Sequence, residues 1–268
     1  MYEPQFRCRS NGVPILSHDE IEFHAEQFIR DYNKELLTNP GEVNIEDFTE
    51  YYLGLTPEYN YLTNCGLILG RMVFNNSNKI AIYDTDSGRA EYISAQRGTV
   101  MIDNTLLNDE HRFRSTMGHE AGHWIYQQSY FYIDPYQMTL FDTLDKTSTA
   151  CRKYDIEGGD CPEGVKRTLS TDHDWLEHQA KYFSAAFLMP KAAMKIVCGD
   201  KKMRQNLSDE VPGFENTYLA NHVAEVFNVS SESAKIRIKQ LGLEIATPCT
   251  VKSASIFTIG YPERVFSL

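Results

Sequence analysis

The run His119-Glu120-Ala121-Gly122-His123 places two imidazoles and a carboxylate within little more than one helical turn, and no other feature constrains the chain as much. On an α-helix, positions i and i+4 lie on one face, so His119 and His123 can each turn a neutral ring nitrogen toward a single metal ion. Glu120 then flanks the ion without having to ligate it. A carboxylate so placed takes a proton from water activated by the metal and hands it on to a leaving amine. The spacing is that of a zinc hydrolase, with one zinc per chain and Glu120 as the catalytic base.

The flanking residues predict the helix that this chemistry requires. Asn108-Asp109-Glu110 offers an N-cap and acidic first-turn groups suited to the positive end of the helix dipole. Phe113, Met117, Ala121 and Trp124 follow at helical spacing and form an apolar stripe for a core. His119 and His123 fall on the opposite side with Arg112, Thr116 and Tyr126, a face expected to look into a cleft or solvent. Gly122 costs about 1 kcal/mol against Ala inside a helix. Its presence predicts that a second element approaches closely there.

A catalytic zinc has three protein ligands and one open position. The run DWLEHQAKYFSAAFLMP over 174–190 reads as a second amphipathic helix, with Leu176, Ala180, Phe183 and Phe187 on one apolar stripe. Pro190 makes Met189 its last helical position. Glu177 shares a face with Lys181, Ser184 and Leu188, and the small Ser184 and Ala185 permit close helix–helix approach. Glu177 is the third ligand chosen from this segment; His178, His173 and Asp174 are rivals that spacing does not exclude. His173 is also a candidate donor to the transition-state oxygen, or a plain helix cap.

With HEAGH at 119–123 and Glu177, Ala180, Phe183, Leu188, Met189 and Pro190 in the second run, the chain resembles the ImmA/IrrE family of zinc-dependent metallopeptidases. In that family an HExxH helix is followed by a helix of the form ExxAxxFAxxLLMP. The resemblance extends from about Asp19 to about Glu244. It implies a zincin-like core with zinc held by His119, His123 and Glu177, and Glu120 as general base. It further implies a bacterial, cytosolic endopeptidase that cleaves a helix-turn-helix repressor of a phage or integrative element, and a sheet edge beside the metal that aligns extended substrate. The chain departs from the pattern at Ser184, where Ala is usual, at Lys181, where Asn is common, and in a longer interval between the motifs. These departures bear on substrate choice.

The expected fold class is α+β: a zincin-like core with a small mixed sheet packed on the HExxH helix and a C-terminal helix-turn-helix-like segment. The chain has 268 residues, 42% of them hydrophobic, enough for one moderate domain with appendages or two small ones. The segments expected are an acidic helical stretch at 1–60, the core at 61–198 with an insertion at 130–173, a helical bundle at 199–247 and a tail at 248–268. No apolar run reaches the roughly 18 residues of a membrane span, and MYEPQFRCRS lacks a signal-peptide core, so a cytoplasmic protein is expected. The six cysteines show no CxxC spacing and read as thiols, with Cys151 and Cys161 bracketing a Gly-rich loop they could close if oxidised.

Charge is uneven. Between positions 19 and 50, ten carboxylates face only Arg30 and Lys34, a local net of −8 in a chain of −11. Ile21, Ala25, Phe28, Ile29 and Tyr32 make this a helix with a solvated acidic face; as a partner surface it would steer a basic repressor and oppose nucleic acid. Residues 44–52 read as a short helix, and 67–74, 79–83, 91–94 and 99–103 as short strands. The stretch from Tyr130 to Asp174 lacks periodicity and reads as a cover over the cleft, or as a local helix over 138–151. Residues 218–243 read helix, turn, helix, with the break at Val229-Ser230 and Lys235, Arg237 and Lys239 on the second helix. Such a pair packs on the core; the rival class is a non-catalytic regulator that binds DNA or a partner through it. The run 255–259 is β-prone.

Overall fold

Each element begins where the sequence supplies a cap or a change of period. In the computed structural model, which describes residues 1–133, 146–153, 169–210 and 213–245, β1 (Arg7–Cys8) pairs with β2 (Pro14–Ile15) ahead of α1 (His18–Asn33). Ser17 and Glu20 close a capping box at the start of α1, each side chain bonding the other's backbone. The predicted short helix at 44–52 is a turn over Ile45–Asp47, capped by Asn44, that widens into a π-helical turn over Phe48–Tyr52.

Five strands follow: β3 (Thr56–Asn60), β4 (Ile68–Met72), β5 (Ser77–Asp84), β6 (Arg89–Ala95) and β7 (Thr99–Asp103). The last four sit where alternation predicted them. β3 has no such pattern, and Pro57 reads as a breaker; the segment is nonetheless a strand because it lies at a sheet edge, where a missing N–H is tolerated. The motif helix α2 (Glu110–Tyr126) starts at an Asp109 cap whose side chain accepts from the Arg112 N–H. β8 (Cys151–Arg152) then completes a mixed sheet of order β3-β7-β4-β8, in which only β3 and β7 run parallel. β5 and β6 form a separate hairpin.

The second motif helix, α3 (Asp172–Leu188), opens on a Thr171–Asp174 capping box and closes at Met189 before Pro190, as the proline dictates. Then come α4 (Lys191–Gly199), α5 (Lys201–Glu210), α6 (Glu215–Phe227) and α7 (Ser231–Gln240). Asn228 adopts the left-handed conformation that ends α6, and Ser230 caps α7, at the predicted break. One buried apolar cluster runs from Leu16 to Ile245, so α1, both motif helices and the C-terminal pair share a core. A smaller one, around Leu62, Val73, Ile80, Ala95 and Met101, lies under the hairpin. Among the described residues, no helix is long and apolar enough to cross a membrane.

The structure corrects several expectations. The α2 face carrying Thr116, His119, His123 and Tyr126 is buried, because α3 covers one side of it and β4 another. Most of the cover expected at 130–173 lies outside the described residues, as do the tail from 246, the run 255–259 and Cys161. Its part at 146–152 is no helix: it pairs along β4 as an edge strand. Several carboxylates of the acidic stretch have local duties. Glu20 caps α1, Asp31 accepts from the Tyr52 hydroxyl, Glu26 accepts from the Ala192 N–H, and Glu42 pairs with Arg114.

Gly122 has the packing reason its cost implied. A Cβ there would meet the Cα and the carbonyl oxygen of Ala180 at 3.0 Å each. The neighbour that allows the approach is therefore Ala180, with Ser184 playing the same part against Gly118. Ala180 backbone cannot step aside as a flexible side chain would. Gly122→Ala is expected to lower stability by about 1–3 kcal/mol despite the better helix propensity of Ala, read as a shifted denaturation midpoint at unchanged m-value.

Candidate metal centre

The close α2–α3 contact brings the two motifs to one point. His119 Nε2 stands 2.8 Å from His123 Nε2 and 3.0 Å from Glu177 Oε2, and His123 Nε2 is 3.5 Å from Glu177 Oε1. One donor atom from each of the three lies within 4.8 Å of the others. Both imidazoles are fully buried and Glu177 is nearly so.

Of the rivals for the third position, His178 and Asp174 are engaged elsewhere, and His173 stands at the edge of the cluster. His178 points to the far side of α3, where its Nε2 meets His18 Nε2 at 2.8 Å. Asp174 is held by the Thr171 and Ser170 backbone and hydroxyl groups, which bring its pKa down to about 2. His173 is exposed, with Nδ1 3.8 Å from Glu177 Oε1, and the helix cap is Thr171.

Electrostatics couple the trio. Burial alone would depress His123, but the carboxylates of Glu177 and Glu120 outweigh it and raise its pKa to about 9. Burial likewise works against ionising Glu177, yet the two imidazoles hold it well below the usual carboxylate range. Two imidazole nitrogens and a carboxylate oxygen, aimed at one another inside the protein, form a donor set suited to a divalent zinc ion. Two further buried atoms of the motif, His119 Nδ1 and Glu120 Oε1, have no hydrogen-bond partner.

Supporting residues were not singled out from the sequence. Gln127 lies four residues after His123, so helical spacing could have revealed it: its Oε1 meets His123 Nδ1 at 2.7 Å and its Nε2 donates to the Leu176 carbonyl at 2.9 Å. The His123 Nδ1–H donated to Gln127 Oε1 leaves Nε2 as the nitrogen turned to the cluster. Gly70 and Thr149 carry no sequence signal for the site. β4 crosses α2 so closely at Gly70 that a Cβ would stand 2.6 Å from Glu120 Oε1. The Thr149 hydroxyl donates to Glu120 Oε2 at 3.0 Å. Burial raises the Glu120 pKa, more than the nearby imidazoles lower it. Cys151, next along the edge strand, lies with His119 and Glu120 in a second group of potential donors within 4.8 Å. No protein-family model and no curated protein matches this chain.

Proposed function

We infer that this chain is a zinc-dependent endopeptidase of the ImmA/IrrE kind, with a zincin-like core, acting in the cytoplasm on a specific regulatory protein such as a helix-turn-helix repressor. The observation that carries this reading is the convergence of His119, His123 and Glu177 from two helices, with a buried carboxylate, Glu120, adjoining them. A bound zinc supplies Lewis acidity and brings the pKa of water to roughly 7. His119 and His123 serve as neutral nitrogen ligands, the second oriented by Gln127, and Glu177 brings the negative charge that favours a dication. Glu120 is not needed as a ligand. Its raised pKa suits a group that must accept a proton and then return it to the leaving amine.

The reading as a DNA-binding regulator loses its main support. Arg237, the central cation of the presumed recognition helix, is fully buried against Glu22. That leaves Lys235 and Lys239 as the exposed cations of α7, a thin footprint for phosphate contacts.

Metal analysis tests the proposal. The wild-type protein is expected to hold one zinc per chain, and Glu177→Ala to lose most of it, since a two-ligand site lacks the anionic donor. Hydrolysis of fluorescein-labelled casein is expected to stop on chelation and return with added zinc. A wild-type chain that takes up no zinc overturns the proposal.

A further inference from the structure

The catalytic cluster of a peptidase must meet a polypeptide, yet His119, Glu120 and His123 are all fully buried. Glu120 is covered from two sides: Gly70 of β4 stands against Oε1, and the segment 147–153 brings the Thr149 hydroxyl onto Oε2 and Cys151 close by. This segment runs along the outer edge of β4: Thr147 O accepts from Phe74 N at 2.9 Å, Thr149 N donates to Met72 O at 3.0 Å, and Lys153 N donates to Leu67 O at 2.8 Å. An open sheet edge is a place where an extended peptide can add by main-chain pairing. Here the chain's own residues fill it.

We propose that 147–153 is an internal stand-in for substrate, held on the β4 edge with Thr149 on the catalytic carboxylate, and that it must leave this edge for an extended peptide to be cleaved. This rests on the metallopeptidase reading above. Three observations separate the segment from a permanent strand. Its pairing is irregular: the register shifts between Ile68 and Gly70, the ladder over Cys151–Arg152 is two residues long, and Val73 and Ser148 meet as an isolated bridge. β7, by contrast, is buried along its whole length between two partners. Second, the Thr149 hydroxyl both accepts from the Met72 N–H at 2.8 Å and donates to Glu120 Oε2, so one side chain occupies a backbone donor of the edge and the base together. Third, Glu120 Oε1 is buried without a partner beneath Gly70, so neither carboxylate oxygen is turned to an incoming peptide. Removing 147–153 would free the edge from Leu67 to Phe74 and release Glu120 Oε2 in one movement.

Thr149→Pro tests this, since proline removes both the hydroxyl and the N–H that bonds Met72. Thr149→Val, which removes only the hydroxyl, is the milder companion should the first fail to fold. Two readouts are followed with zinc content. The first is alkylation of Cys151, fully buried beside the site, measured by peptide mapping so that Cys8 and Cys65 do not interfere. The second is hydrolysis of fluorescein-labelled casein. If the open form is about 1% of molecules, freeing the edge raises turnover by up to roughly a hundredfold. The expected result is faster Cys151 alkylation with hydrolysis raised on the order of tenfold or more, less in Thr149→Val, and abolished by adding Glu120→Gln. Unchanged Cys151 alkylation would show a permanent strand and overturn the proposal. So would a zinc-loaded variant with Cys151 exposed and hydrolysis unchanged, which leaves the metal reading standing; a chain that binds no zinc overturns that reading instead.

Discussion

Glu120→Gln is expected to slow peptide hydrolysis by roughly 10²–10⁴-fold, the usual contribution of a positioned general base, while zinc content and KM stay at wild-type values. The amide is nearly isosteric with the carboxylate. It fits beneath Gly70 and keeps an oxygen for the Thr149 hydroxyl, so the packing between β4 and α2 survives. What is lost is the ability to take a proton. The three donors proposed for zinc are on His119, His123 and Glu177, which the substitution leaves untouched. A fall in kcat alone therefore separates the base from the ligands, because Glu177→Ala is expected to act by losing metal. Comparison within the Thr149→Pro background is expected to give the clearest ratio, since a higher starting rate is predicted there. Rates equal to wild type in Glu120→Gln would remove Glu120 from the chemistry and leave the cluster as a metal site without this mechanism.

Why the site could be read so far in advance, and no further, follows from the range of each interaction. His119, Glu120 and His123 are local: their juxtaposition is set by helical spacing alone. Glu177 required a second helix, and the apolar stripe through Leu176, Ala180, Phe183 and Phe187 supplied it, with Pro190 marking its end. The residues that escaped are non-local. Thr149 reaches Glu120 only because 146–153 pairs with β4 across about eighty positions of sequence, and that pairing has neither alternation nor a turn signal to announce it. Gly70 is similar: it reads as an ordinary strand glycine until β4 is laid across α2. β3 was invisible because Pro57 is a breaker in isolation and harmless at an edge. The expectation of an open face on α2 failed for a related reason: amphipathic periodicity locates one core-facing stripe but does not count how many elements cover a helix.

The C-terminal pair gives the last case, and a second large effect. Arg237→Ala is expected to cost about 3–5 kcal/mol of stability, because it leaves Glu22 buried without its counter-ion. The guanidinium forks onto both carboxylate oxygens, Nη1 to Oε1 at 2.6 Å and Nη2 to Oε2 at 2.7 Å, and Nε reaches the Met189 carbonyl at 3.2 Å. One side chain thus ties α7 to α1 and to the end of α3, with the Tyr182 hydroxyl donating to the same Glu22 at 2.9 Å. Lys has neither the planar fork nor the extra donors, so Arg237→Lys should recover only part of the loss. Replacing both partners with apolar side chains, as in Glu22→Leu with Arg237→Met, is expected to restore most of it, since no charge is then stranded. Lys235→Ala and Lys239→Ala, on the exposed side of the same helix, should each stay within about 0.5 kcal/mol. Denaturant melts across this set discriminate two roles for the helix. A small effect at Arg237 would mean that the residue is not anchored in the core, and would return it to the list of candidate DNA contacts; a large one fixes α7 as a brace against α1 and the helix that carries Glu177.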